Sequence, residues 1–93
     1  MKAKYSREEI LTLYKLYNNS DKDLEYYHII KISSDGWIDE FGGILFIGEE
    51  KYISQPRYSI MRLSSHGKVG RISNCGQFGT IEAAKQALFE LLQ

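Results

Sequence analysis

Residues 44–47 read Ile44-Leu45-Phe46-Ile47, the longest unbroken apolar run in the chain. Successive side chains of a β-strand point to opposite faces of a sheet, so this run would place apolar groups on both faces. Such a strand is either covered on two sides or lies at an edge that pairs with another chain, which would allow a homodimer through Ile44–Ile47. The run is far shorter than the roughly 20 residues of a membrane span, so we expect no membrane association.

Turn signals divide the sequence before and around this run. The alternation of β-branched and aromatic residues predicts a first strand from Leu24 to Ser33. Asp35-Gly36 then predicts a tight hairpin turn, because glycine readily adopts positive φ. Gly42-Gly43 interrupts the segment Trp37–Ile47, which is either one strand bent at a glycine bulge or two strands joined by a turn. We favour one bent strand.

Two further strands follow. Alternation predicts a strand from Tyr58 to Leu63 and another from Val69 to Asn74, joined by a hairpin turn at Ser65–Lys68. The second half of the chain up to the last helix is therefore predicted to be an antiparallel hairpin.

Helix signals flank the strands. Ser6 and Glu9 form a capping box ahead of Ile10, which predicts the start of a first helix. Thr80 stands at the N-cap of a closing helix. The buried stripe predicted for that closing helix consists of Ile81, Ala84, Leu88, Leu91 and Leu92. The predicted order is α-β-β-β-β-α, an α+β fold in which an N-terminal and a C-terminal helix flank a four-stranded, mainly antiparallel sheet.

Composition indicates one soluble globular domain spanning residues 1–93. Hydrophobic residues make up 43% of the chain and charged residues 26%, the ordinary balance of a folded domain. Twelve Lys and Arg offset twelve Asp and Glu, so no net charge attracts the chain to nucleic acid or an anionic membrane. The single cysteine cannot form an internal disulfide, and no apolar signal segment follows the N-terminus, so we expect a cytoplasmic protein.

Catalytic residue types are present without a catalytic spacing. Cys75, His28 and His66 supply a thiol and two imidazoles, but nothing in their separation joins them into a nucleophile and base. We interpret Cys75 as a small buried hydrophobe, His28 as an interior residue and His66 as a solvated turn residue. Paired ligand spacings typical of zinc sites are lacking, so the sequence predicts a non-enzymatic protein without metal or cofactor.

Charge distribution is the most informative feature of the sequence. From Asp35 to Glu50 there are five acids and no Lys or Arg, whereas from Arg57 to Cys75 there are four bases and no acid. Either the two blocks neutralise each other, with neighbouring strands carrying them, or one block is displayed to a partner. The candidate protein-binding residues are Asp35, Trp37, Asp39, Glu40, Glu49 and Glu50. The alternative nucleic-acid-binding residues are Arg57, Tyr58, Arg62, Lys68 and Arg71.

Aromatic residues support the idea of a binding surface. Seven Tyr, four Phe and one Trp exceed what so small a core hides completely, so some are expected to be partly exposed. The aromatic residues on or beside predicted strands are Tyr26, Tyr27, Trp37, Phe41, Tyr52 and Tyr58. A rigid ring beside charged groups is typical of interface hot spots.

The C-terminal half resembles a known DNA-binding family. Alternating strands precede Gly76-Gln77-Phe78-Gly79-Thr80-Ile81-Glu82-Ala83-Ala84-Lys85, and this turn and helix entry is similar to that of the three-stranded arm-binding domains of phage integrases. Those domains read DNA with the sheet. The resemblance implies a sheet-type DNA-binding module as one function.

The whole chain resembles a second group. In size, single-domain architecture, tyrosine content and acidic hairpin it is similar to the small inhibitors that phages and mobile elements use against host defence, especially anti-CRISPR proteins. This resemblance implies a cytoplasmic inhibitor in a bacterial host that occludes a nucleic-acid-processing factor such as a CRISPR effector nuclease. Acidic side chains would there take the place of phosphates.

Overall fold

The structure, a computed structural model, describes residues 4–18, 29–51 and 54–93. Within these ranges it contains two helices and five strands. The elements are α1 (Arg7–Asn18), β1 (Ile29–Ile32), β2 (Trp37–Ile38), β3 (Ile44–Glu50), β4 (Tyr58–Leu63), β5 (Val69–Arg71) and α2 (Ile81–Leu91). The predicted α+β class, with one helix before and one after an antiparallel sheet, is confirmed.

β3 lies at the centre of the sheet. β1 and β2 pair end to end along one side of β3, and β4 pairs along its other side, with β5 beyond β4. Every pairing is antiparallel. Both sides of Ile44–Ile47 are therefore hydrogen-bonded within the chain, so of the two alternatives for this strand the edge strand is not formed.

The segment Trp37–Ile47 forms two strands, so the predicted single bent strand is wrong and the sheet has five strands where four were expected. Trp37 pairs with Leu45 and Ile38 with Ile44 across a tight turn. The Asp39 carboxylate closes this turn by accepting hydrogen bonds from the backbone N–H of Phe41 and of Gly43, each at 2.9 Å. Gly42 adopts a φ of 82°, which glycine tolerates without strain.

Asp35-Gly36 is not a hairpin turn, because β1 and β2 pair with β3 and not with each other. Gly36 instead forms an antiparallel bridge with Tyr5. A Cβ at Gly36 would lie 2.5 Å from Ile44 Cγ2, so the glycine permits close approach of the N-terminal segment to the sheet.

Two predicted strands are shorter in the structure. β1 covers the end of the predicted strand Leu24–Ser33, whose first five residues lie outside the described residues. β5 ends at Arg71 and not at Asn74, because the N–H groups of Ile72 and Ser73 both approach the carbonyl of Ile60 and break the ladder.

The apolar residues form two clusters on opposite faces of the sheet. The α1 face buries Ile10, Ile32, Ile44, Phe46, Met61, Leu63 and Val69. The α2 face buries Trp37, Leu45, Ile47, Ile60, Ala84 and Leu88. Since β3 contributes to both clusters, the prediction of a strand covered on two sides is confirmed. Burial of each large aliphatic side chain contributes about 1.5 to 3 kcal/mol to folding.

Both predicted helix starts are confirmed. The backbone N–H of Ser6 donates to Glu9 Oε1 at 3.0 Å, and the Glu9 N–H donates to Ser6 Oγ at 3.2 Å. Thr80 Oγ1 accepts from the Ala83 N–H at 3.1 Å. These bonds satisfy amide groups that have no partner inside their helices.

Candidate functional site

Glu50 is buried inside the sheet and does not face a partner. Its side chain lies on the α1 face, and the residue is 1% exposed. Arg71 Nε donates to Glu50 Oε1 at 2.8 Å and Arg71 Nη2 donates to Oε2 at 3.0 Å. The Ser59 hydroxyl donates to Oε1 at 2.6 Å. The carboxylate is thus compensated by side chains of β4 and β5, as a buried charge requires.

A second ion pair joins the two blocks at the other end of the sheet. Arg62 Nε donates to Asp39 Oδ2 at 2.6 Å, and Nη2 donates to Oδ1 at 3.3 Å. The hydrogen bond from Arg62 lowers the pKa of Asp39 below its ordinary value, and the same contact raises the pKa of Arg62. The guanidinium lies against Gly43, where any Cβ would collide with it.

The predicted protein-binding residues therefore separate into three groups. Trp37 is 6% exposed and packs edge-on against Phe89, with ring centroids 5.0 Å apart, so it belongs to the core. Glu50 and Asp39 are held in ion pairs. Asp35 and Glu40 are exposed and Glu49 is half-buried. Neutralisation across the sheet accounts for two of the five acids, Asp39 by Arg62 on β4 and Glu50 by Arg71 on β5, and three acids reach the surface.

The predicted nucleic-acid-binding residues do not share one face. The register Arg62↔Gly70 and Met61↔Arg71 places Arg62 on the α2 face and Arg71 on the α1 face. Arg57 donates to the backbone carbonyl of Gly76 at 2.7 Å and to that of Gln77 at 3.0 Å.

The other two members of that set are also separated. Tyr58 packs against the α2-face cluster, and Lys68 is exposed in the turn between β4 and β5. The residues expected to bind phosphates together are dispersed over the sheet, and three of the four cations are engaged inside the protein.

Cys75 is exposed on the turn that follows β5, so its interpretation as a buried residue is wrong. Partial desolvation, and then the nearby Glu50 charge, raise the pKa of its thiol, which disfavours the nucleophilic thiolate. His66 is exposed, as predicted, and His28 lies outside the described residues. In the ranges that the structure describes, no group of three or more His, Cys, Asp or Glu is placed to hold a metal ion.

One surface cleft collects the exposed apolar side chains. Among the described residues, the large hydrophobic side chains that remain exposed are Ile38, Phe41, Ile72 and Leu91. All four line the same cleft, of about 390 Å³, together with Leu45 and Leu92. We call this cleft the apolar groove. Phe41 is 75% exposed and Leu91 55% exposed, so their removal from water by a partner would be favourable.

The groove exists because α2 does not cover its whole face of the sheet. The helix ends at Leu91, and its last residues form one wall of the groove, while the turn between β2 and β3 forms the other. Leu45 forms part of the floor. Gly70 points to the same face, and a Cβ built there would meet no atom within 4 Å. This corner of the sheet is open.

Acidic groups surround the groove. Asp39 and Glu40 line it directly, and Glu90 lines an adjoining cleft of about 310 Å³ that shares Ile72 and Leu91 with it. Among the described residues that line either cleft, none is Lys or Arg. Since Asp39 is paired with Arg62, the acidic charge beside the apolar side chains comes from Glu40 and Glu90.

Sequence reasoning found part of this surface. Phe41 was among the aromatic residues expected near a partner, and Glu40 was in the acidic block. Leu91 was wrongly placed in the buried stripe of the last helix, and Ile72 was expected to be a strand residue. Helical periodicity predicts which side of a helix faces the sheet, but it does not show how far the helix extends over it.

Comparison with models of known protein families, with characterised proteins and with solved structures finds no match for this chain. Within the described residues, neither helix has the length and apolar character needed to cross a membrane.

Proposed function

We propose that this protein is a non-enzymatic binding protein that inhibits a nucleic-acid-processing factor of host defence, most concretely a CRISPR effector nuclease in the bacterial cytoplasm. The observation that carries the binding role is the apolar groove, where every exposed large hydrophobic side chain of the described residues meets. Four exposed apolar side chains that line one cleft are a candidate contact site for a partner.

The surface acids support an inhibitor of a nucleic-acid-binding partner. Asp35 and Glu40 are exposed and Glu49 is half-buried, so each carboxylate can form charge-assisted hydrogen bonds with a partner. Arginines that hold nucleic acid bind phosphates through the same bidentate geometry. The resemblance to small anti-CRISPR proteins in size and architecture points to the same class of partner.

The alternative function, a sheet-type DNA-binding module, receives less support. A sheet that reads DNA needs a free face with cations on it. Here helices pack against both faces, and Arg57, Arg62 and Arg71 are engaged within the chain. We therefore favour protein binding over DNA binding.

The test is direct binding to purified CRISPR effectors, each with and without guide RNA and target DNA, measured by biolayer interferometry and by DNA cleavage. Phe41→Ser should weaken binding about 30-fold, the effect of a central hot spot. Glu82→Lys, at an exposed site near the start of α2 that lines neither cleft, is the control.

Two results would contradict the proposal. If the folded protein binds and inhibits none of a broad panel of effectors, the host-defence function is wrong. If an effector binds equally well to wild type and Phe41→Ser, the groove is not the binding site.

A further inference from the structure

We propose that the occupant of the apolar groove is an amphipathic helix of the partner, with an apolar stripe flanked by Lys or Arg. This inference rests on the proposed binding function and specifies the chemistry of the partner. It follows from the charge around the groove, from its walls and from the strands beside it.

Charge around the groove selects a basic partner. Glu40 on one rim and Glu90 on the rim of the adjoining cleft are both exposed, whereas Asp39 is neutralised by Arg62. No Lys or Arg is among the described residues that line the two clefts. A partner that carries Lys or Arg on both sides of its apolar contacts complements these two carboxylates, whereas an acidic partner would be repelled.

The shape of the groove favours side chains over a flat surface. The two clefts, of about 390 and 310 Å³, adjoin, since Ile72 and Leu91 line both, so apolar side chains are available on either side of the end of α2. A helix presents apolar side chains at i, i+3, i+4 and i+7, which form a stripe suited to such an elongated groove.

Strand addition is the other common way to bind a peptide, and the neighbouring strands do not favour it. β2 contains two residues and β5 contains three. So short a strand offers few backbone hydrogen bonds to an added strand. Affinity must therefore come from buried side chains, which is the mode of a helix in a groove.

The experiment selects ligands without naming the partner in advance. A phage-displayed library of random peptides of about 16 residues, long enough for four helical turns, is panned against the immobilised full chain. The bound sequences are tested as synthetic peptides against wild type, Phe41→Ser, Glu40→Lys and Glu82→Lys. Amide chemical shifts of the labelled protein locate the contact.

We expect enriched sequences with apolar residues at helical spacing and a net positive charge. Their affinity should fall at least about tenfold with Phe41→Ser and also with Glu40→Lys, and it should be unchanged with Glu82→Lys. Amide shifts should concentrate at Ile38, Phe41, Ile72 and Leu91.

Enrichment of acidic or uncharged sequences, binding that is insensitive to Phe41→Ser, or the absence of enrichment would overturn this inference. So would concentration-dependent self-association that Phe41→Ser abolishes, because a second copy would then be the occupant. An effector that needs Phe41 but presents no basic helix would refute the helix and leave the proposed function standing. If the enriched peptides share a basic helical consensus but no effector binds, the helix is supported and the proposed function is refuted.

Discussion

Neutralising Glu50 should destabilise the protein far more than neutralising its neighbour Glu49. Glu50 is 1% exposed and receives two hydrogen bonds from Arg71 and one from Ser59. Glu49 is half-buried on the opposite face of the same strand. The pair Glu50→Gln and Glu49→Gln removes the same charge from adjacent positions, so the difference between them isolates burial.

The magnitude follows from the contacts. Removing one partner of a buried ion pair costs about 3 to 5 kcal/mol. The Arg71 side chain is 21% exposed, so water solvates part of its charge when Glu50 is neutralised. Glutamine keeps one oxygen as an acceptor for the Ser59 hydroxyl, so we expect the lower end of that range, about 3 kcal/mol. Substitutions away from buried contacts change stability by about 0.5 kcal/mol or less, so Glu49→Gln should lower the free energy of unfolding by less than about 0.5 kcal/mol.

Urea unfolding followed by circular dichroism measures this difference. With an m-value of about 1.5 kcal/mol per molar urea, a loss of 3 kcal/mol lowers the midpoint by about 2 M. The double variant Glu50→Leu, Arg71→Met should recover much of the loss, because removing both charges leaves neither one unpaired. Equal midpoints for Glu50→Gln and Glu49→Gln would refute the assignment of Glu50 to the interior.

Three further predictions test the rest of the structure. The hydrogen bond from Arg62 depresses the pKa of Asp39, so Asp39→Asn should lower stability at neutral pH. The stability difference between Asp39→Asn and wild type should disappear as pH falls below 3.8, the ordinary pKa of Asp39, and through its lower pKa in the folded state. A difference that stays constant with pH would contradict the ion pair. Gly36→Ala should lower the free energy of unfolding by about 1 to 3 kcal/mol through overpacking. Gly70→Ala, where the new Cβ would meet no atom, should change it by less than about 0.5 kcal/mol. A larger loss for Gly70→Ala than for Gly36→Ala in thermal unfolding would be inconsistent with this packing. Because the pKa of the Cys75 thiol is raised, iodoacetamide should alkylate it more slowly at pH 7 than it alkylates free cysteine. The alkylation rate should still increase with pH above pH 9. Rapid alkylation at pH 7 would contradict the raised pKa.

Local chemistry explains which elements were predicted correctly. The helix starts at Ser6 and Thr80 depend on side chains that bond amides three residues away, and such bonds form wherever the backbone turns into a helix. The hairpin at Ser65–Lys68 likewise depends on a turn, in which Gly67 adopts positive φ. None of these features requires knowledge of a distant strand.

The errors concern choices that local sequence leaves open. Gly42-Gly43 fits a bulge as well as a turn, and the structure forms a turn because Asp39 can then accept two backbone N–H groups and pair with Arg62 on β4. Asp35-Gly36 has the composition of a hairpin turn, but the bridge between Gly36 and Tyr5 occupies that site. In both cases a residue distant in sequence decides the outcome.

By itself, the sequence determined the class of the fold, the two helix starts and the presence of apolar side chains on both faces of Ile44–Ile47, since periodicity and capping act over a few residues. Only the tertiary structure decided which charged side chains remain at the surface, where a partner can contact them. Glu49 and Glu50 are the same residue type at adjacent positions, and one is half-exposed while the other is buried against Arg71 because a strand alternates its faces. The apolar groove also depends on the tertiary structure. It forms because α2 ends before it covers its face of the sheet, and the local sequence pattern does not show how the helix and the sheet pack together.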